Sequence, residues 1–431
     1  MEPAVKTMQT YRRNFLPARG WVRKNNADLW WINPVGFIAF IIMPTFVLSI
    51  IYGAPVMSMF GSLNFLSISF LWTGVGCLSA LMAGLFGGAS LSSSFLVARR
   101  GWDERHLISA IRILLIVSLL AHVMLLGTVM AQPDLWASAL SGSRGAASQM
   151  NRELSRIPGV TTLTQLYLLG VPLYVVYPFL FRRRLPQGIQ RIFLALVVFV
   201  VFRAFLASER FALIELAVCY FLPKIACSPR KDIYGYLPPF AIFSVFLMFA
   251  VLEYFRTWAA YRAMYSSYLE FISYRFLGYL CTSTNNAAGV LSNFGPMGEP
   301  WFTGRWIQRL TLLLFPDNAA TGSGLSLFFK TYGNAEFNNP SGIFSPILDY
   351  GVGIGILVWV LIGTVGGLLY FPFRQMQPLG VLIYPSFFLG LTVITQSFYW
   401  GDPRYTPVIV LSIPVFMYIT KRQHGISPVR K

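Results

Sequence analysis

FSPILDYGVGIGILVWVLIGTVGGLLYF, residues 344–371, carries no charged residue after Asp349. As a helix it is long enough to cross the roughly 30 Å hydrocarbon core of a bilayer. Runs of the same kind recur, and ten spans are expected, near 34–53, 64–86, 107–130, 162–181, 191–207, 210–226, 237–255, 344–371, 379–397 and 404–420. Hydrophobic residues make up 55% of the chain and charged residues 12%, with a mean hydropathy of +0.59. A soluble domain carries about a quarter charged residues, so water has too little polar surface to cover. Weakly alternating strands of about ten residues, the mark of a membrane barrel, are absent. The expected fold class is therefore all-α: a polytopic membrane protein, one integral membrane domain over 1–431, with about ten transmembrane helices and a large loop before the last three.

The net charge of +18 would suit nucleic acid, but its distribution points to the lipid bilayer as the partner instead. Basic residues cluster between alternate spans: Arg99, Arg100 and Arg105; Arg182, Arg183, Arg184 and Arg191; Lys224, Arg230 and Lys231; Arg374; Lys421 and Arg422. With Arg12, Arg13, Arg19, Arg23 and Lys24 before the first span, the positive-inside pattern puts both termini in the cytoplasm. Residues 1–33 form a basic cytoplasmic segment, not a cleavable signal, because no apolar run lies near the start. The outer connections are then 54–63, 131–161, 208–209, 256–343 and 398–403. The longest, 256–343, has too many aromatics for disorder, and its helical-looking stretches near 262–281 and 305–315 suit the membrane surface or re-entry. Cysteines show neither a disulfide framework nor zinc spacing. Gly76, Ala80, Gly84 and Gly88 form a small-residue stripe, with a shorter one at Gly363 and Gly367; both are expected to pack helices closely.

Candidate functional residues are the charges that a membrane should not tolerate. Arg203 and Glu215 lie inside consecutive spans at similar depth and suit either a structural ion pair or a charged cavity floor, since an isolated intramembrane charge costs about 2.5–3.5 kcal/mol. Arg210, Arg256, Arg262 and Arg275, with Arg305 and Arg309, recur on the outer side, where positive charge is usually scarce. The guanidinium fork matches phosphate oxygens and stays charged, so these arginines suit an anionic, pyrophosphate-bearing head group. Aromatics crowd the same region, from Tyr254 and Trp258 to Trp301 and Trp306; interfacial anchoring and stacking on sugar rings explain them equally well. His106 and His424 are cytoplasmic and His122 is intramembrane, so outer-side acid–base chemistry must use a carboxylate, an arginine or the substrate. Candidate carboxylates are Glu209, Glu253, Glu270, Glu299, Asp317, Glu336, Asp349 and Asp402. No Walker loop, dinucleotide fingerprint or HExxH occurs, which argues against ATP-driven pumping and nucleotide-sugar transfer, and no cofactor or metal is called for.

The stretch KTYGNAEFNNPSGIFSPILDYGVGIG, Lys330–Gly355, resembles a segment of the O-antigen and capsule repeat-unit polymerases, whose large loop ends in an Asp-aromatic-Gly start to a late helix: here Asp349, Tyr350 and Gly351. The turn Ser208–Glu209–Arg210–Phe211–Ala212 is similar to a Ser/Gly-x-Arg turn of that family. YRFLGYLCTSTNNAAGVL, Tyr274–Leu291, resembles its aromatic-rich segment before the loop core. The resemblance implies a metal-independent glycosyltransferase of the bacterial inner membrane. It would join two undecaprenyl-pyrophosphate-linked oligosaccharides at the periplasmic face, with a chain-length regulator as a candidate partner. Under that expectation Arg203, Arg210, Arg256, Arg262, Arg275, Tyr332 and Asn338 bind substrate, with Arg203 and Glu215 also a structural pair, and Glu209 or Asp349 activates the acceptor hydroxyl. An O-antigen ligase is the sister alternative, disfavoured because the large loop lacks the histidine that family is expected to carry. A lipid-linked glycan flippase or solute transporter is the other alternative; without a visible internal repeat it is the weaker one.

Overall fold

The structure is a computed structural model that describes residues 26–60, 62–95, 100–134, 137, 159–206, 210–229, 232–307, 328–329, 331–333, 337–403 and 405–422. In chain order its long helices are α1 (Pro34–Ile51), α2 (Ile68–Phe95), α3 (Glu104–Met130), α4 (Val160–Phe181), α5 (Gln187–Leu206), α6 (Arg210–Cys227), α7 (Leu237–Glu253), α8 (Tyr268–Phe294), α9 (Ser345–Arg374), α10 (Pro378–Thr392) and α11 (Thr406–Ile419). Among the described residues seven helices, in the regions of α1 to α5, α7 and α9, are long and apolar enough to cross a membrane. The chain is an all-α, multi-pass membrane protein. The other three expected spans are helical but differ in character. α6 carries Arg210, Glu215 and Lys224. α10 and α11 are apolar but short, at 15 and 14 residues, or about 21–22 Å at 1.5 Å per residue.

α10 stops before the end of its apolar run because α8 and the short 3-10 turn Gly342–Phe344 before α9 claim the next backbone groups. The Ser283 hydroxyl donates to the Thr395 carbonyl at 2.8 Å, and the Ile343 amide donates to the Ile394 carbonyl at 3.2 Å. Gln396 in turn reaches the Tyr279 carbonyl at 2.6 Å. Unwound backbone beside apolar helices is tolerable where protein supplies the missing partners.

The described segments sort onto two faces. On one, β1 (Arg100–Trp102) pairs antiparallel with β2 (Thr420–Arg422), a small ribbon that the hydropathy pattern does not announce. There Lys421 Nζ lies 2.8 Å from Asp103, and Arg374 Nε lies 2.5 Å from Asp28. The Asn26 side-chain amide bonds three carbonyls at the end of α6, those of Ile225, Ser228 and Pro229. The opposite face is organised by α8, which lies within the segment 256–343. Its polar run Thr282–Asn286 is buried rather than solvated. Asn285 donates to the Leu63 carbonyl at 2.8 Å and accepts from the Phe65 amide at 2.7 Å, while Asn286 donates to the Phe337 carbonyl at 2.6 Å. The Ser283 carbonyl accepts from the Ser341 amide at 2.9 Å. These side chains satisfy backbone that has no ladder of its own, as buried polar groups must, and so staple three connecting segments together.

The two small-residue stripes pack against each other. A Cβ on Gly84 would lie 2.2 Å from the Val360 carbonyl oxygen, and one on Gly88 2.1 Å from that of Thr364. Reciprocally, Gly363 meets the Leu81 carbonyl oxygen and Gly367 that of Leu85, each at 2.2 Å. Lipid offers no hydrophobic reward for helix association, so close backbone approach supplies the van der Waals contact. Gly76 is not part of this lock: its nearest neighbour would be Ile356 at 4.0 Å. α9 itself breaks at Gly351, whose φ of 80° and ψ of 174° are non-helical and essentially reserved for glycine.

Candidate functional site

Three elements converge on one buried carboxylate. Arg210 opens α6, Glu253 closes α7, and Arg275 lies on α8 one turn before Tyr279, so that both of the latter face the same side. Glu253 is fully buried. Its Oε1 accepts from Arg210 Nη2; its Oε2 accepts from Arg275 Nε at 2.6 Å and from the Thr257 hydroxyl at 2.6 Å. Arg210 Nη2 also donates to the Tyr279 hydroxyl at 3.1 Å.

Rings enclose the two cations. The Arg210 guanidinium carbon sits 4.3 Å from the Phe249 ring centre and 4.7 Å from that of Tyr279. That of Arg275 sits 5.2 Å from Phe337, 5.5 Å from Tyr261 and 5.8 Å from Phe271. Cation–π attraction strengthens when the pair is desolvated, and here Arg275 is 4% exposed and Arg210 16%. Among the described contacts, two guanidiniums share the one Glu253 carboxylate. Local preference runs against both helix ends, since a dipole disfavours a cation at the start of α6 and an anion at the end of α7. The tertiary pairing overrides that preference.

The expected site residues divide clearly. Arg210 and Arg275 meet at Glu253, which sequence reasoning ranked only among many carboxylates. Its signal was a glutamate at the last apolar turn of a span, four residues before a threonine. Arg262 is exposed at the end of the turn Ala259–Tyr261. The backbone of Arg256 lies in the π-helical turn Tyr254–Trp258, immediately beyond Glu253. Asn338 is exposed and follows Phe337, the ring beside Arg275; Tyr332 is further off, packing on Phe65 and Phe328 with centroids 6.0 and 5.7 Å away. Glu209 and Arg309 lie outside the described residues.

Arg203 and Glu215 are both buried, and α4 stands between them as a bridge. Arg203 Nη1 donates to the Thr164 hydroxyl at 3.1 Å; three residues on, the Tyr167 hydroxyl donates to Glu215 Oε2 at 2.7 Å. Tyr399 adds a second hydroxyl to Glu215 at 3.1 Å. Both charges are thus tied to neutral hydroxyls on neighbouring helices.

Asp349 is a clamp. Its carboxylate accepts from the Phe302 amide at 2.9 Å, the Thr303 amide at 2.7 Å and the Thr303 hydroxyl at 2.6 Å, while its carbonyl accepts from the Gly298 amide at 2.8 Å. These donors engage both carboxylate oxygens and commit the side chain to holding residues 302 and 303. Asp349→Asn is expected to remove acceptor capacity and loosen 297–303 by about 1–3 kcal/mol, read as faster amide hydrogen exchange across that segment. Unchanged exchange would rule out the clamp. The thiol of Cys281 is also unsuited to chemistry, because burial pushes it up to about 12 and a thiol is a poor nucleophile. Burial, reinforced by the charge of Glu253, likewise pushes the Tyr268 phenol up to about 12; its hydroxyl donates to the Ala250 carbonyl.

Fold and site together define a class: a multi-pass helical membrane protein with a buried arginine–glutamate–arginine centre ringed by aromatics. No family model, curated protein or solved structure matches the chain.

Proposed function

We propose that the chain is a membrane glycosyltransferase that polymerises undecaprenyl-pyrophosphate-linked oligosaccharide repeat units at the periplasmic face of the bacterial inner membrane. In this reading the ribbon face, with its Lys and Arg clusters, is cytoplasmic, all ten apolar runs cross, and 256–343 is the periplasmic loop. The observation that carries the reading is the pair of guanidiniums, Arg210 and Arg275, gathered on Glu253 and caged by rings on the face where α8 gathers the connecting segments. A preorganised guanidinium needs little rearrangement to receive phosphate oxygens, and Arg256 and Arg262 follow within the same stretch of chain. The motifs at 330–355, 208–212 and 274–291 add the family resemblance.

In the reaction, an acceptor sugar hydroxyl attacks the anomeric carbon of the donor. The bond from that carbon to the pyrophosphate oxygen breaks, and undecaprenyl pyrophosphate leaves with its electrons. Arg210 stabilises the charge developing on the leaving group. The hydroxyl proton passes to a carboxylate; Glu209, one residue before Arg210, takes that role because the acceptor sites of Asp349 are engaged by residues 302 and 303. The energy for each linkage lies in the lipid-linked donor, so no nucleotide is consumed.

The test is a gel of surface polysaccharide from cells lacking the gene, complemented with wild type or with Arg210→Ala. Loss of the gene should collapse a long ladder to single repeat units on a retained core. Arg210→Ala should leave long chains reduced about tenfold or more, the worth of one charge-assisted hydrogen bond, with unchanged membrane abundance. Arg210→Lys should rescue only in part, because an ammonium lacks the planar fork. A ladder unaffected by loss of the gene, or loss of even the single unit, would overturn the reading.

A further inference from the structure

α3 packs against both α4 and α5, and the three helices meet at the ribbon face. The Tyr177 hydroxyl of α4 donates to Glu104, at the start of α3, at 2.9 Å, and Arg183, just past α4, lies 3.9 Å from the same carboxylate. The chain leaves α4 through Arg182, whose φ of 53° is left-handed. Gln190 ties the first turn of α5 back to the Leu185 carbonyl at 2.7 Å. Arg105, Arg182, Arg183, Arg184 and Arg191 are thereby held at one end of these helices, and all are exposed. The carboxylates beside them are already engaged: Glu104 as above, and Asp103 by Lys421 and His106 at 2.8 and 3.0 Å. Among the described residues the side chains of Arg105, Arg182, Arg184 and Arg191 have no ion-pair partner.

Arg112 distinguishes this patch from an ordinary basic loop. It is exposed within the apolar span of α3, about 12 Å along the helix from Glu104 at 1.5 Å per residue. It too has no ion-pair partner among the described residues. Arg105 precedes it by two turns on the same face, and Val123, three turns further on, continues that face and is exposed. α5 repeats the pattern, with Arg191 followed at helical spacing by exposed Leu194 and Val198. An ionised side chain inside a span is costly unless it meets an anion or reaches the interface. Helical side chains lean toward the N-terminus of their helix. Arg112 therefore extends toward Arg105 and the ribbon face, the level to which such side chains snorkel.

We infer that Arg105 and Arg112 hold the head group of an anionic phospholipid in the leaflet at the ribbon face, with its acyl chains along Val123 and the apolar face below. Two features select this occupant. Arg112 lies beneath the level that an acidic protein segment or a nucleic acid can reach without entering hydrocarbon, whereas a lipid already has its tails there. The neighbouring Arg182, Arg184 and Arg191 repel the ammonium of a zwitterionic head group and attract a net negative one. The inference goes beyond the polymerase reading and does not depend on it, since the site lies on the face opposite the Arg210–Glu253–Arg275 cluster.

Titration of the full-length protein in detergent micelles with phosphatidylglycerol, read by native mass spectrometry, tests this directly. Phosphatidylcholine with the same acyl chains is the head-group control, and inorganic phosphate the tail-less one. The wild type should bind phosphatidylglycerol about tenfold or more tightly than phosphatidylcholine, and inorganic phosphate should not displace it. One arginine near a membrane surface is worth about fivefold in affinity for anionic lipid. Arg112→Gln should therefore weaken phosphatidylglycerol about fivefold, and Arg105→Gln combined with it about twenty-five-fold, with phosphatidylcholine unchanged. Arg112→Lys should keep most of the affinity, because the lipid field acts on Lys and Arg alike. Taking an exposed charge out of a span removes a cost rather than a contact, so abundance and gel-filtration profile should match the wild type. Equal wild-type affinity for the two lipids would overturn the inference. So would displacement by inorganic phosphate or by polyglutamate, or a double variant that binds phosphatidylglycerol as tightly as the wild type.

Discussion

Glu253→Ala is expected to cut the amount of folded protein in the membrane severely, while Arg210→Ala leaves it intact. The asymmetry follows from counting charges. Glu253 holds both guanidiniums, with Arg210 on one oxygen and Arg275 with Thr257 on the other. Removing it strands two cations, one of them 4% exposed, and an uncompensated buried charge costs about 3–5 kcal/mol. That is a large share of the 5–15 kcal/mol by which a typical domain is stable. Removing Arg210 leaves Glu253 neutralised by Arg275 and hydrogen-bonded to Thr257. Thermal unfolding of purified variants, followed by fluorescence-detected gel filtration, separates the two outcomes. Adding Arg275→Met to Glu253→Ala should recover part of the loss, since it takes away one stranded charge. If the Glu253 variant proves as stable as the Arg210 variant, the carboxylate is not the hub of the cluster.

The second large effect is expected at the lock between α2 and α9. Gly84→Leu and Gly363→Leu each place a side chain where the partner helix already has backbone: the Val360 carbonyl oxygen in one case, that of Leu81 in the other, both 2.2 Å from the new Cβ. Backbone cannot swing aside as a flexible side chain can, so the helices must separate by ångströms and lose close contact along their length. Overpacking typically costs about 1–3 kcal/mol and sometimes more, and both substitutions should lower the midpoint of thermal unfolding. Gly76→Leu is the internal control. Its Cβ would meet nothing closer than Ile356 at 4.0 Å, and it should express nearly as wild type. Equal damage at Gly76 and Gly84 would mean that helix propensity or lipid exposure, not close approach, governs this stripe.

Much of this architecture is legible in the chain because hydropathy is a local signal. The runs near 107–130, 162–181 and 344–371 became helices at nearly their expected bounds, since twenty apolar residues in a row have few other stable arrangements in lipid. Glycines at four-residue spacing named a packing face without needing to name its partner. The arginine-rich stretch after α7 was also visible, because positive charge beside apolar spans is rare enough to notice. What escaped was the pairing. Glu253 and Asp349 stood only among eight candidate carboxylates, and the polar run Thr282–Asn286 carried no hint that its amides would hold Leu63, Phe65 and Phe337. The early end of α10 was hidden for the same reason: the groups that capture the Ile394 and Thr395 carbonyls come from residues far away in the chain.

Run length and hydropathy are enough to establish a helical membrane protein, roughly where its spans fall, and which residues are too polar to be there without cause. What each of those residues is bound to follows from packing between distant segments. Apolar length and charge spacing act within a few turns of one helix. Gathering Arg210 and Arg275 on Glu253 and seating Asp349 under residues 302–303 both depend on which distant helices come side by side.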